Sequence, residues 1–192
     1  MRIIKELYDY REMLSNLVKK DLKVRYKGSV LGFLWTFLNP LLQLVVYTIV
    51  FSTIMKVNID KFYIYLFIGL IPWLFFSTCI QAGSTSILMN KDLIKKIYFP
   101  RIILPISTVN SAFMNMLYSM IVVLLTILVS GIGFSKYILL LPLAMIMQYI
   151  LVLGMTFIFS ALNVYFRDLE YILNIIVMIW FYLTPIVYEI EM

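Results

Sequence analysis

Of the 192 residues, 63% are hydrophobic and only 14% charged, with a mean hydropathy of +0.97, so the chain lacks the polar surface that a soluble domain of this length needs. A single cysteine, Cys79, and no histidine exclude a disulfide framework, a zinc centre and any nucleophile activated by an imidazole base. The net charge of +6 points to a membrane flank and not to nucleic acid, because eight of the sixteen Lys and Arg precede Gly28.

The opening MRIIKELYDYREML lacks the uninterrupted apolar core of a secretory signal, so no cleaved presequence is expected. Over residues 1–27, Ile3, Leu7, Tyr10, Leu14, Leu17, Val18 and Leu22 recur at helical spacing, with Lys5, Glu6, Asp9, Glu12, Lys19, Lys20 and Lys23 opposite. That pattern predicts an interfacial amphipathic helix lying on the membrane, occupying 1–29; the same stripe equally suits packing on protein. Residues 30–192 read as the transmembrane domain.

A first span is expected over 30–55, uncharged and longer than the roughly 20 residues that cross the hydrocarbon, with Pro40 kinking it. After the polar connection Lys56 to Lys61, a second span covers 62–83, where Gly69 and Pro72 predict a bent helix. Residues 84–101 turn mixed, with Leu93, Ile94, Ile97 and Tyr98 opposite Lys91 and Lys95, and read as a short amphipathic helix outside the bilayer ending at Pro100. A third span follows within 102–130, the connection GIGFSKY at 131–137, a fourth span over 138–161, the charged NVYFRDLEY at 163–171, and a fifth span over 172–188 holding Pro185.

The fold class is therefore all-α, five transmembrane helices behind an interfacial helix. Thirteen Lys and Arg fall in 1–29, 90–101 and 163–170, against Lys56, Lys61 and Lys136 on the other side. The bias places the N-terminus in the cytoplasm. No G-x-x-x-x-G-K-S/T occurs, and Gly28 to Gly32 lacks the phosphate-holding lysine, so the chain does not hydrolyse ATP by itself. No span carries an ionisable group of the kind that couples transport to protons or sodium.

Four stretches taken in order carry more information: RYKGSVLGFLWTFLNPLL at 25–42, GLIPWLFFS at 69–77, LIKKIYFPRIILP at 93–105, and NVYFRDLEYIL at 163–173 followed by YLTPIVY at 182–188. Together they resemble the ABC-2 type permeases that export polysaccharides, in particular the membrane subunits for O-antigen, capsule and teichoic acid. The resemblance implies a homodimer in the bacterial cytoplasmic membrane, each copy seated on a separate ATP-binding cassette ATPase and moving a lipid-linked polysaccharide outward. The family pattern has six spans with re-entrant helices between the fifth and sixth, and Met192 falls where those would begin, so the chain reads as a truncated form.

Position within that pattern makes Asp92, Lys95 and Lys96 the expected ATPase contact, lipid headgroups being the other use for these lysines. Arg25, Tyr26 and Lys27 sit at the depth where cations meet a carrier pyrophosphate, although anchoring to ordinary headgroups suits them better. Trp35, Phe37 and Tyr182 are expected on the translocation path, because the family's first and fifth spans border it and aromatic faces stack on sugars. Gly28 and Gly32 suit either close helix packing or a turn. Arg167 and Asp168, adjacent and so unable to face each other on a helix, are read as structural, each needing another partner to fix the start of the fifth span. No catalytic residue, cofactor or metal is expected. The alternatives are an ABC-2 efflux permease for drugs or lipids, a membrane-embedded glycosyltransferase built on Asp168 and Glu170, and a purely structural subunit.

Overall fold

The computed structural model describes residues 2–24, 28–50, 62–131 and 136–186. Two short helices, α1 (Arg2–Asp9) and α2 (Arg11–Val24), open the chain. They are followed by α3 (Trp35–Thr48), α4 (Phe62–Met89), α5 (Lys91–Lys96), α6 (Ile103–Val129), α7 (Leu141–Tyr165) and α8 (Leu169–Leu183). Helices α4, α6 and α7 are long and apolar enough to cross a membrane, each running about 37–42 Å at 1.5 Å per residue against the roughly 30 Å of hydrocarbon. Helices α3 and α8 are apolar but shorter among the described residues. The protein is an all-α membrane protein.

Helix α4 is the centre of the bundle, with α3, α6, α7 and α8 packed around it. Its Leu66, Phe67, Leu70, Ile71, Phe75 and Cys79 interleave with Val109, Ala112, Met116, Met120 and Val123 of α6 and with Val152 of α7. The outer face of α7 shows the complementary stripe: Leu143, Ile146, Met147, Ile150, Leu151 and Ile158 are exposed, an apolar surface that only lipid or another apolar partner satisfies.

Cross-links at the two ends fix an up-and-down order. At one end Tyr63 Oη lies 3.0 Å from Ser130 Oγ, and the Tyr65 hydroxyl donates to the Pro185 carbonyl at 3.1 Å, so the start of α4 meets the ends of α6 and α8. At the other, the Asn163 amide donates to the Ser84 carbonyl at 3.2 Å, joining the end of α7 to the end of α4. This second end carries a collar, in which Leu7, Tyr10, Met13, Leu14 and Leu17 of α1 and α2 pack on Ile87, Leu93, Ile94, Phe99, Ile103 and Leu104. Leu7, Tyr10, Leu14 and Leu17 of the N-terminal apolar stripe thus pack on the chain's own elements.

Several boundaries differ from expectation. The interfacial helix is broken at Tyr10 into α1 and α2. The first span starts at Trp35 because Gly28 and Gly32, with φ of 83° and 48°, turn the chain before it. The second span runs on to Met89 through Ser84, Thr85 and Ser86, whose hydroxyls donate to the carbonyls of Gln81, Ala82 and Gly83, so these polar residues do not end the helix. That leaves only Lys91–Lys96 as the short amphipathic helix. The fourth span begins at Leu141 behind a 3-10 turn, and the fifth covers Leu169–Leu183, its end set by Thr184 and Pro185. Pro40 and Pro72 both lie inside continuous helices. Residues 51–55 and 187–188 of the expected spans, together with Lys56 and Lys61, lie outside the described residues.

Candidate functional site

The collar presents one charged surface. Helix α5 packs half-buried Leu93 and Ile94 against α2 and α6, and spacing then turns Lys91, Asp92, Lys95 and Lys96 outward, all exposed. Asp92 in its first turn and Lys95 and Lys96 in its last complement the helix dipole. Asn90 ties the start of α5 to α4 and α2: its amide donates to the Ser86 carbonyl at 2.8 Å, and its Oδ1 accepts from Lys20 Nζ at 3.5 Å. Asp92, Lys95 and Lys96 are therefore brought together on one exposed turn seated on the collar.

The three expected path residues are not brought together. Trp35 lines a cleft between α3, α4 and α6 and donates its indole N–H to Ser29 Oγ at 2.8 Å. Phe37 is tilted against Tyr118 of α6, with ring centroids 6.4 Å apart. Tyr182 lies edge-on to Phe181 at 5.5 Å and lines a separate groove between α3, α4 and α8, which also holds Ser77, Gln81 and Asn174. Around that groove an aromatic run continues from Phe181 to Trp73 at 5.6 Å, Trp73 to Phe76 at 5.4 Å and Phe76 to Trp180 at 5.6 Å. Tyr182 is one end of an aromatic ladder fastening α8 to α4.

The cleft beside Trp35 holds polar side chains that the sequence motifs do not single out. Thr36, Asn39 and Gln43 of α3, Thr78 of α4, and Asn115 and Ser119 of α6 line about 200 Å³ together with apolar neighbours such as Ile71 and Phe75. Their signal in the sequence is spacing: polar residues at i, i+3 and i+7 on α3 and at i and i+4 on α6, in spans otherwise apolar. Thr36 Oγ1 and both amide atoms of Asn115 are buried with no hydrogen-bond partner.

Arg167 and Asp168 are both exposed, in the turn where Phe166 leaves the helical region at φ −120°, ψ 91°. Asp168 starts α8 through its backbone, its carbonyl accepting from the amides of Tyr171 and Ile172 at 3.1 and 3.2 Å, while its side chain makes no capping bond. Gly28 and Gly32 occupy the left-handed region, with nothing within 4 Å of the position a Cβ would take, a turn geometry and not a close helix contact. Arg25, Tyr26 and Lys27 lie outside the described residues.

Comparison with known proteins adds the family. A family model described as ABC-2 type transporter matches residues 13–192. The chain is 40% identical over 191 residues to the O-antigen export system permease protein RfbA of Myxococcus xanthus, covering 100% of this chain and 74% of that protein. Two proteins of the same name from Klebsiella pneumoniae are 38% and 37% identical over 182 residues, covering 94% of this chain and 70% of each. With a matching family model over almost its whole length and relatives well above 30% identity, the chain belongs to the ABC-2 type transporter family.

Proposed function

We propose that this chain is the membrane subunit of an ATP-driven exporter that moves lipid-linked polysaccharide outward across the bacterial cytoplasmic membrane, as a homodimer on separate ATPase subunits. The observation that carries the reading is the 40% identity, over all of this chain, to a protein named for O-antigen export. Physical features agree with it. The collar gathers the N-terminal helices, α5 and the start of α6 on one side, and that is the side on which eleven of the twelve Lys and Arg among the described residues fall, as a cytoplasmic face requires. Uncharged polar groups and stacked aromatics line the clefts between the spans, a lining suited to a hydroxylated polymer and unsuited to trapping an ion.

In this reading Asp92, Lys95 and Lys96 form the surface that the ATPase grips. The packing of Leu93 and Ile94 on α2 and α6 would let a push on α5 reach both helices directly. Closure of the ATPase dimer then rocks the helix pairs by contacting the two states of the permease differently. Arg25, Tyr26 and Lys27 are assigned to the phosphates at the membrane surface, Trp35, Phe37 and Tyr182 to the borders of the path, and Arg167 with Asp168 to the turn that sets α8. Gly28 and Gly32 supply the hinge between α2 and α3.

Affinity purification of the tagged full-length permease, co-expressed with its ATPase, tests this. An ATP-hydrolysing subunit is expected to co-elute, and Lys95→Glu with Lys96→Glu to remove it while the permease keeps its melting temperature, since both side chains are exposed. Absence of any co-eluting ATPase refutes the exporter reading; retention by the charge-reversed variant refutes the assignment of α5.

A further inference from the structure

We propose that the cleft between α3, α4 and α6 is a binding site for one neutral, polyhydroxylated group, a single sugar ring, held in the membrane interior by uncharged side chains. The inference deepens the exporter reading and rests on it for the source of the sugar.

Depth comes first. On α6 the lining residues lie 9–16 positions beyond Ile103, about 14–24 Å from the collar end. On α4 they lie 11–18 positions before Met89, about 17–27 Å from the same end. On α4 and α6 the cleft is therefore level with the middle of helices long enough to cross a membrane, where a polar group without a partner is costly and polar side chains need a reason.

The ordinary reason, holding helices together or folding back on the backbone, does not apply to these residues. Elsewhere in the bundle hydroxyls return to their own helix: Ser107 to the Leu104 carbonyl at 2.8 Å, Thr126 to Val122 at 2.8 Å, Thr156 to Val152 at 2.7 Å. Amides elsewhere find at least one partner, Gln148 donating to the Pro72 carbonyl at 2.8 Å, Asn110 accepting from the Tyr149 hydroxyl at 2.6 Å and Asn163 donating to the Ser84 carbonyl at 3.2 Å, although the Asn163 Oδ1 is itself buried without one. Thr36 is only 4% exposed and its Oγ1 meets nothing. The Asn115 amide is buried at both its donor and its acceptor atom with no partner at either. A residue selected as glue between α3 and α6 would bond across the cleft; these face it and do not.

The chemistry of the lining selects the ligand. Thr36, Asn39, Gln43, Thr78, Asn115 and Ser119 supply hydroxyl and amide donors and acceptors in mixture, and no Lys, Arg, Asp or Glu is among the described residues that line the cleft. Such a set suits a ligand whose groups both donate and accept, as sugar hydroxyls do, and gives a phosphate or pyrophosphate no countercharge. The Trp35 ring stands in one wall with its N–H already tied to Ser29, so it contributes an aromatic face. About 200 Å³ suits one ring and not an oligosaccharide.

The test uses full-length permease with its ATPase in proteoliposomes, with methyl β-D-glucoside as the neutral probe and inorganic pyrophosphate as the charged one, binding being read by saturation-transfer NMR. Glucoside binds and pyrophosphate does not compete. Thr36→Val and Asn115→Leu each weaken glucoside binding and slow glycan export about three- to tenfold, the loss of one or two hydrogen bonds, while Thr36→Ser keeps both near wild type. Neither Thr36→Val nor Asn115→Leu lowers the melting temperature, because neither removes a bond made within the protein. Wild-type binding in both variants, as when the cleft holds water only, overturns the proposal. A fall in melting temperature or failure to assemble also overturns it, since the groups then serve the fold. If the wild type binds glucoside but exports no glycan, the exporter reading fails and the site stands.

Discussion

Substituting Gly83 by Ala tests the crossing of α4 and α7 on which the bundle is centred. A methyl group built on Gly83 falls well inside van der Waals contact with Thr156 Cγ2, and 3.3 Å from its Oγ1. Thr156 cannot step aside cheaply: it is fully buried, its Oγ1 donates to the Val152 carbonyl at 2.7 Å, and a β-branched side chain in a helix has few rotamers. The helices must therefore separate, loosening the adjoining bond from Asn163 to Ser84. Overpacking costs about 1–3 kcal/mol, against about 1 kcal/mol by which Ala exceeds Gly as a helix former, so the net loss is about 0–2 kcal/mol. At roughly 2–4 °C per kcal/mol for a chain of this size, the detergent-solubilised variant melts up to about 8 °C below wild type. Thr156→Ala removes the clashing methyl, so the double variant is expected to lose less than the two single losses together, with a coupling of about 1 kcal/mol in the cycle. Thermal denaturation followed by gel filtration measures all four proteins. A Gly83→Ala variant that melts above wild type, or strict additivity in the cycle, refutes the argument.

Leu17→Ala removes the buried centre of the collar, where Leu17 is 8% exposed among Phe99, Ile103 and Leu104, and costs about 2–3 kcal/mol locally. Hydrogen exchange at the amides of 11–24 is expected to accelerate while α7 keeps its protection; unchanged exchange in α2 refutes the packing role. Gln148→Leu deletes the bond to the Pro72 carbonyl that ties α7 to α4, worth about 0.5–1 kcal/mol in a membrane interior. A melting-temperature loss of about 1–4 °C is expected, and no loss at all would show that the α4 backbone satisfies Pro72 without it.

The order of spans was legible because lipid admits few solutions. A helix must satisfy its backbone internally, so uncharged stretches near 20 residues announce themselves, and α4, α6 and α7 emerge within the stretches that begin at Phe62, Ile102 and Ile138. Ends were less legible. Ser84, Thr85 and Ser86 read as polar and hence as outside, yet a hydroxyl that donates to the carbonyl three residues back is self-satisfied, and the helix runs past it. Composition counts a hydroxyl as polar whether or not its bond is already made. The stripe of α1 and α2 suited lipid and protein alike, and that Leu17 packs on Phe99 and Ile103 is a contact that spacing within α2 could not reveal.

The same distinction separates the two kinds of polar residue in the bundle and explains why the cleft was hidden. Thr156, Ser107 and Thr36 are equivalent letters in equally apolar spans; the first two return their hydrogen bonds to their own helix, and Thr36 does not. What distinguishes a site from a tolerated hydroxyl is thus a bond left unmade, a property of three helices meeting and not of any one of them. Spacing still left a trace, since Thr36, Asn39 and Gln43 share one face of α3, and Asn115 and Ser119 one face of α6. Two polar faces on separate spans have a reason to exist when they are turned towards each other, and in this bundle α3 and α6 do meet, with α4 closing the third side. Charge marks the surface that a partner is proposed to grip, at α5, while its absence marks the interior through which a neutral polymer is proposed to pass.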